Sequence, residues 1–179
     1  MSAKSSTSQY GSVAIAIHWL TALLILMLLV TGLLAANQTD EAARLALVRA
    51  HIPMGIGILL LTLLRIVWWL VADRRRPPLP AEQPAWQKLA ARAVHIGLYL
   101  ILLESAASGI ATILLSGALP AIIIGAVLPD FNTVLPRAVH GIGSRVAMVL
   151  LALHIGAALY HQFVRHDHLL ARMGLGHSA

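Results

Sequence analysis

The sequence predicts an all-α membrane protein, a bundle of four transmembrane helices. Of its 179 residues 59% are hydrophobic and only 11% charged, and its mean hydropathy of +0.81 suits lipid rather than water. Four apolar runs, about 13–36, 48–72, 86–115 and 138–163, each exceed the roughly 20 residues that span a bilayer core. The connections between them are too short for a separate soluble domain. The membrane domain therefore runs over 13–165, between tails at 1–12 and 166–179.

The N-terminal tail is polar, rich in Ser and Thr, and expected to be floppy, with Ser12 placed to cap the first helix. The first run is too long for the apolar core of a signal peptide and contains His18, so it reads as a retained helix. Trp19 beside it suits the membrane–water interface. A short loop of mixed charge (Asp40, Glu41, Arg44) precedes the second run, which opens R-A-H-I-P-M-G-I-G from Arg49. Pro53 suits a first helical turn. Gly55 falls one turn after His51 on the same face, where a missing side chain admits a bulky planar group. Arg65 shares that face fourteen residues on, and Trp68 and Trp69 mark an interface.

A hydrophilic linker rich in Arg and Pro (73–84) leads to the third run, with His95, Gly97, Tyr99, Glu104 and Gly109. In the longest connection, Ser116–Arg137, Pro120, Pro129 and Pro136 read as breakers around an apolar centre, 121–128. That centre is too short to span and is expected on the surface or as a cap on the bundle. The fourth run carries His140, His154 and His161. His166, His168 and His177 read as solvated tail residues. Eight basic residues fall in the tails, the linker and the start of the third run, against three (Arg44, Arg49, Arg137) in the opposite connections. The positive-inside rule then places both termini and the Arg-rich linker in the cytoplasm.

The fourth run carries the chemistry. Fourteen residues turn a helix to within about 40° of its start, and seven to within about 20°, so its three histidines form one stripe. His140 and His154 lie about 21 Å apart along the axis, one towards each membrane face. Gly141, Gly143, Gly156 and Ala157 leave room beside them for something flat and wide. Ionisable groups in lipid are costly and mark a cofactor, ion or proton site. With no cysteine, disulfides, thiolate metal sites, iron–sulfur clusters and thioether-bound haem are excluded. The net charge of +6 is read as membrane topology, not as nucleic-acid binding.

Depth pairs the histidines: His51 with His140 in the outer half, His18 with His154 in the inner half. Two imidazoles per iron close both axial positions, which suits electron transfer by two haems. His95 lies at about the depth of the inner pair, and spacing alone leaves it open as a ligand. Arg65 is placed to meet a propionate of the inner haem, and Glu104 and Arg145 are candidates for an intramembrane ion pair. His161, at the inner edge, either hydrogen-bonds and protonates a quinone head group or is an ordinary interface histidine.

I-H-W-L at Ile17–Leu20, H-x-x-x-G at His51–Gly55, H-I-G-L-Y at His95–Tyr99, the His140–His154–His161 spacing and a tail with Asp167, Leu170, Arg172 and Met173 resemble the bacterial cytochrome b561 family. The resemblance runs from about Ile15 to Met173 and is strongest to the family's superoxide oxidase type. It implies His18 and His154 on one b haem, His51 and His140 on the other, His161 near the quinone, and a lesser role for His95. The activity implied is electron passage from periplasmic superoxide to membrane ubiquinone, and the location implied is a bacterial inner membrane. One departure is charge: Arg44, Arg49 and Arg137 face Asp40, Glu41 and Asp130 in the outer connections, a balance near zero where a positive funnel is expected. The alternative is a cytochrome b subunit serving a dehydrogenase or hydrogenase as its redox partner protein. A third reading, a proton or metal-ion transporter along the histidine stripe, finds no inverted repeat or broken helix to support it.

Overall fold

The computed structural model describes residues 2–74, 84–167 and 169–176. Arg75, Arg76 and the Pro-rich part of the linker, with His168 and His177, lie outside the described residues. The elements are α1 (Ser12–Asn37), α2 (Glu41–Val71), α3 (Ala85–Leu115), α4 (Leu119–Ile124) and α5 (Leu135–Phe163), with short 3-10 turns at Phe131–Thr133 and Ala171–Met173. There is no strand among the described residues. Four of the helices, α1, α2, α3 and α5, are long and apolar enough to cross a membrane. In lipid every backbone N–H and C=O must be satisfied within the segment, and a helix does this.

The helices begin where local chemistry allows. α2 starts seven residues before the expected 48, because the Asp40 carboxylate accepts from the Ala43 N–H (2.7 Å) and caps E-A-A-R, a run of good helix formers. Pro53 therefore sits inside α2, not in its first turn, where its missing N–H leaves the Arg49 carbonyl without its usual donor. Pro120 and Pro136 open helices instead of breaking them: each lies in the first turn of its element, α4 and α5. α1 is entered through Gly11, whose carbonyl accepts from Ile15 N–H (3.0 Å), not through a Ser12 cap. A Cβ on Gly11 would run into the backbone of Ala3 and Lys4.

The chain divides into two compact units. Unit 1 comprises Met1–Leu20, Leu63–Leu100 and Ala147–Ala179. Its N-terminal segment is folded, contrary to the floppy tail expected. Ser5 donates from its N–H to both oxygens of Asp73 (3.1 and 3.2 Å) and from its hydroxyl to one of them (2.6 Å). Asp73, just past α2, is 2% exposed. Tyr10 N–H donates to Arg172 C=O (3.2 Å) and Trp19 Nε1–H to Met173 C=O (2.9 Å), so the segments before α1 and after α5 close on each other.

Unit 2 comprises Thr21–Thr62 and Ile101–Val146. Here the first half of the apolar centre of the long connection lies in α4, ended by Gly125 in the left-handed region (φ 85°). Arg49 Nε and Nη2 donate to the Ile122 and Ile123 carbonyls (2.6 and 3.2 Å), tying α4 to α2. Arg44 lies over the buried Phe131 ring at 5.4 Å. In both units the long helices turn Leu, Ile and Val outwards, while the buried side chains on them include Thr21, Thr62, Ser108, Thr112 and His161. That polarity suits lipid outside and a polar site within.

Candidate functional site

In unit 2 the rings of His51 on α2 and His140 on α5 have their centres 6.1 Å apart at an interplanar angle of 76°. Each ring is anchored through Nδ1. The Thr31 hydroxyl spends its proton on the Met27 carbonyl (2.8 Å) and so accepts from His51 Nδ1–H at 3.1 Å. The Ser105 carbonyl, which can only accept, lies 2.9 Å from His140 Nδ1, and the Ser108 hydroxyl lies 3.2 Å from it. Both rings are thereby set as Nδ1–H tautomers, with the lone pair on Nε2. Neither Gly32 nor Gly109 could be larger without moving a ring. A Cβ on Gly32 would lie 3.1 Å from His51 Cε1, and one on Gly109 would lie 3.3 Å from His140 Cε1.

In unit 1, His18 on α1 and His154 on α5 repeat the separation, 6.1 Å at 60°. His95 on α3 lies closer to His154, 5.1 Å in an edge-on arrangement. Arg65 Nη1 is 3.4 Å from His18 Nδ1, and its guanidinium lies 4.8 Å from the centre of the Trp69 ring and 5.8 Å from that of Tyr99. A guanidinium only donates, so this contact asks His18 Nδ1 to be the bare nitrogen, opposite to the tautomer fixed in unit 2. Arg65 Nε is buried and has no hydrogen-bond partner.

The spacing tests what such pairs can hold. With metal–nitrogen bonds of about 2.0 Å and a ring centre about 1.1 Å behind its nitrogen, two imidazoles across one metal place their centres about 6.2 Å apart. Both pairs fit this separation at 6.1 Å, and the His95–His154 contact at 5.1 Å is too short for it. Among the described residues no three His, Asp or Glu side chains gather to hold a bare ion. A pair suffices where a macrocycle supplies the other ligands to iron.

Residues 9–176 match the family model for prokaryotic cytochrome b561. The chain belongs to the prokaryotic cytochrome b561 family. It is thus a membrane electron-transfer protein with b-type haem. It is 27% identical over 173 residues to cytochrome b561 homolog 1 of Escherichia coli strain K12, covering 93% of this chain and 97% of that protein. It is 31% identical over 192 residues to cytochrome b561 homolog 2 of the same organism, covering 100% of this chain and 97% of that protein.

Other positions in this b561 chain differ from the sequence reading. Glu104 and Arg145 do not pair. Arg145 Nη1 donates to the Gly141 carbonyl on its own helix (3.2 Å), whereas the Glu104 carboxylate faces Gly143 and accepts from the Ser105 hydroxyl (3.4 Å). Arg145 and Arg137 instead converge over Gly141, where a Cβ would lie 3.8 and 3.2 Å from their Nη1 atoms. With Asn132, Ala138 and Ile142 they line an open cleft of about 310 Å³, beside His140 in the chain. Of the small residues expected to make room for a flat group, Gly141 and Gly143 serve charged side chains, while a Cβ on Gly55 or Gly156 would meet nothing within 4 Å. Gly32 and Gly109 were not legible as site residues, because each touches a histidine on another helix. His161, 9% exposed at the end of α5, has Nδ1 2.5 Å from Asp167 Oδ2.

Proposed function

We propose that this cytochrome b561 carries two b-type haems in the bacterial inner membrane and passes electrons from periplasmic superoxide to ubiquinone. The observation that carries the reading is the repeated 6.1 Å separation of two imidazole pairs, one in each unit. His51 and His140 would hold the outer haem, and His18 and His154 the inner haem, with His95 beside the latter as a neighbour. When bound, the haems supply the one-electron chemistry that these side chains lack. The net reaction oxidises two superoxide anions to dioxygen while one quinone takes up two electrons and two protons.

The residues bind, orient and steer. Thr31, Ser105 and Ser108 hold the Nδ1 protons of the outer pair and so keep Nε2 as the donor atom. Arg65 is the residue that would hold a propionate, and a guanidinium so engaged would leave His18 Nδ1 to carry its proton; the unpartnered Nε supports an anionic partner there. Arg145, which the charges of the outer connections do not include, converges with Arg137 over Gly141, and the two guanidinium groups together attract an anionic electron donor. His161 gives protons to the quinone on the cytoplasmic side, where both termini lie.

The test is stopped-flow absorbance of the oxidised, haem-loaded protein mixed with superoxide, with and without a ubiquinone analogue. Haem bands reduced near the diffusion limit and then reoxidised by quinone are expected. Bands that respond to dithionite but ignore superoxide would reassign the donor to a dehydrogenase or hydrogenase partner.

A further inference from the structure

We propose that Asp167 is a positioning residue for His161, and that the two side chains together fix which ring nitrogen exchanges protons with quinone. The inference rests on the reading of His161 given above and adds to it a residue from outside the membrane helices. Asp167 Oδ2 lies 2.5 Å from His161 Nδ1, with the two side chains 21% and 11% exposed. The pairing is built by the chain's path. At the end of α5 the Tyr160 carbonyl accepts from both Val164 and Arg165 N–H (2.9 and 3.1 Å). His166 then adopts the left-handed region (φ 53°), uncommon for a residue with a side chain, and reverses the backbone. Asp167 N–H donates to the His161 carbonyl (3.3 Å), so backbone and carboxylate meet the same residue.

The segment beyond is fastened at several points. Tyr10 N–H donates to the Arg172 carbonyl and Trp19 Nε1–H to the Met173 carbonyl, while Gly174 approaches Ile15. Asp167 is therefore delivered by a tail that cannot swing away without breaking these bonds. Asp167 Oδ1 is buried and has no hydrogen-bond partner, so its side chain is not fixed there by another group.

A carboxylate can only accept, so Nδ1 carries a proton and proton exchange with a substrate runs through Nε2. Each proton that leaves Nε2 for a quinone oxygen is replaced from the cytoplasm. Asp167 neither gains nor loses one. It holds the tautomer and the ring plane, as a buried carboxylate does for other catalytic histidines.

The test uses full-length, haem-loaded protein in detergent, as D167N, D167E and H161Q, alongside 15N-labelled histidine spectra assigned by the signal missing in H161Q. D167N is expected to lower kcat for quinone reduction by about tenfold or more with KM little changed. Haem reduction by the donor should stay at the wild-type rate, D167E should restore part of kcat, and the wild-type His161 signal should be that of the Nδ1–H tautomer. D167N with wild-type kcat, while H161Q is impaired, would overturn the positioning role and leave the quinone reading standing. H161Q with wild-type kcat would remove both. If D167N does not fold, an Nε2–H signal in the wild-type protein overturns the proposal by itself.

Discussion

His51 and His140 meet across unit 2 with their ring centres 6.1 Å apart, each held at Nδ1 by a group on a third or fourth helix: Thr31 on α1 for one, Ser105 on α3 for the other. The pair is thus oriented by four helices, although only two supply the imidazoles. T31V keeps the shape of residue 31 and removes its acceptor. It should weaken haem retention at this pair by about 10–100-fold, read as the haem-to-protein ratio after dilution and as a shift in one of two midpoint potentials. An unchanged ratio and unchanged potentials would show that the hydroxyl does not set the ring.

Removing a ligand tests the pairing itself. Replacing any one of His18, His154, His51 or His140 with Ala should lower the haem content from about two per chain to about one. H95Q should leave it at two, because the His95–His154 contact is too short to span a metal. Loss of haem in H95Q with retention in H18A would exchange their roles.

Charge at the cleft beside His140 gives a kinetic prediction. R137Q/R145Q should slow the bimolecular reaction with superoxide by about tenfold at low salt and flatten its dependence on ionic strength. The reaction of the same variant with dithionite-reduced quinol serves as the control, since steering of an anion does not enter it. A superoxide rate that stays steeply salt-dependent would place the steering charges elsewhere.

Glu104 and Arg145 should act independently. Because Arg145 is engaged with Gly141 and Glu104 faces Gly143, the changes in stability of E104L and R145L should add to within about 0.5 kcal/mol in the double variant. Thermal unfolding in one detergent measures all three. A coupling of 1 kcal/mol or more, on the order expected for residues in direct contact, would restore the ion pair that sequence depth suggested.

At the other end of α2, Asp73 accepts three hydrogen bonds from Ser5 while almost fully buried. Deleting residues 2–8 leaves that carboxylate without these donors, at a cost of about 1–3 kcal/mol. A lower melting temperature and faster proteolysis near residue 10 are expected, and D73N should recover part of the loss. Equal melting temperatures for the deletion and the full chain would make the N-terminal segment decorative.

The spans were legible in the sequence because length and apolarity are local properties, readable one run at a time. Heptad spacing on α5 likewise puts His140 and His154 on one stripe whatever surrounds them. What stayed hidden is non-local. Ser5 and Asp73 are far apart in the chain, as are Tyr10 and Arg172, and nothing in a Ser-rich tail announces partners at that distance. Gly32 and Gly109 matter through histidines on other helices. The Glu104–Arg145 expectation compared depths but not azimuth, and Gly143 shows that the carboxylate takes a different direction. Pro53, Pro120 and Pro136 depart from expectation for one reason: whether a proline opens a helix or lies inside it depends on where the residues around it start that helix.

The closure of the Tyr10 and Trp19 region onto Arg172 and Met173 bears on how the protein is made. Every residue of unit 2 has been synthesised once Val146 is added, whereas unit 1 still lacks its α5 segment and the turn that carries Asp167. At roughly 5–20 residues per second, the chain from Val146 to Arg172 takes about one to five seconds to appear. During that interval the His51–His140 pair can assemble while His18 waits for His154. The two units are therefore completed in order, unit 2 first, so a chain truncated after Val146 contains only the His51–His140 pair.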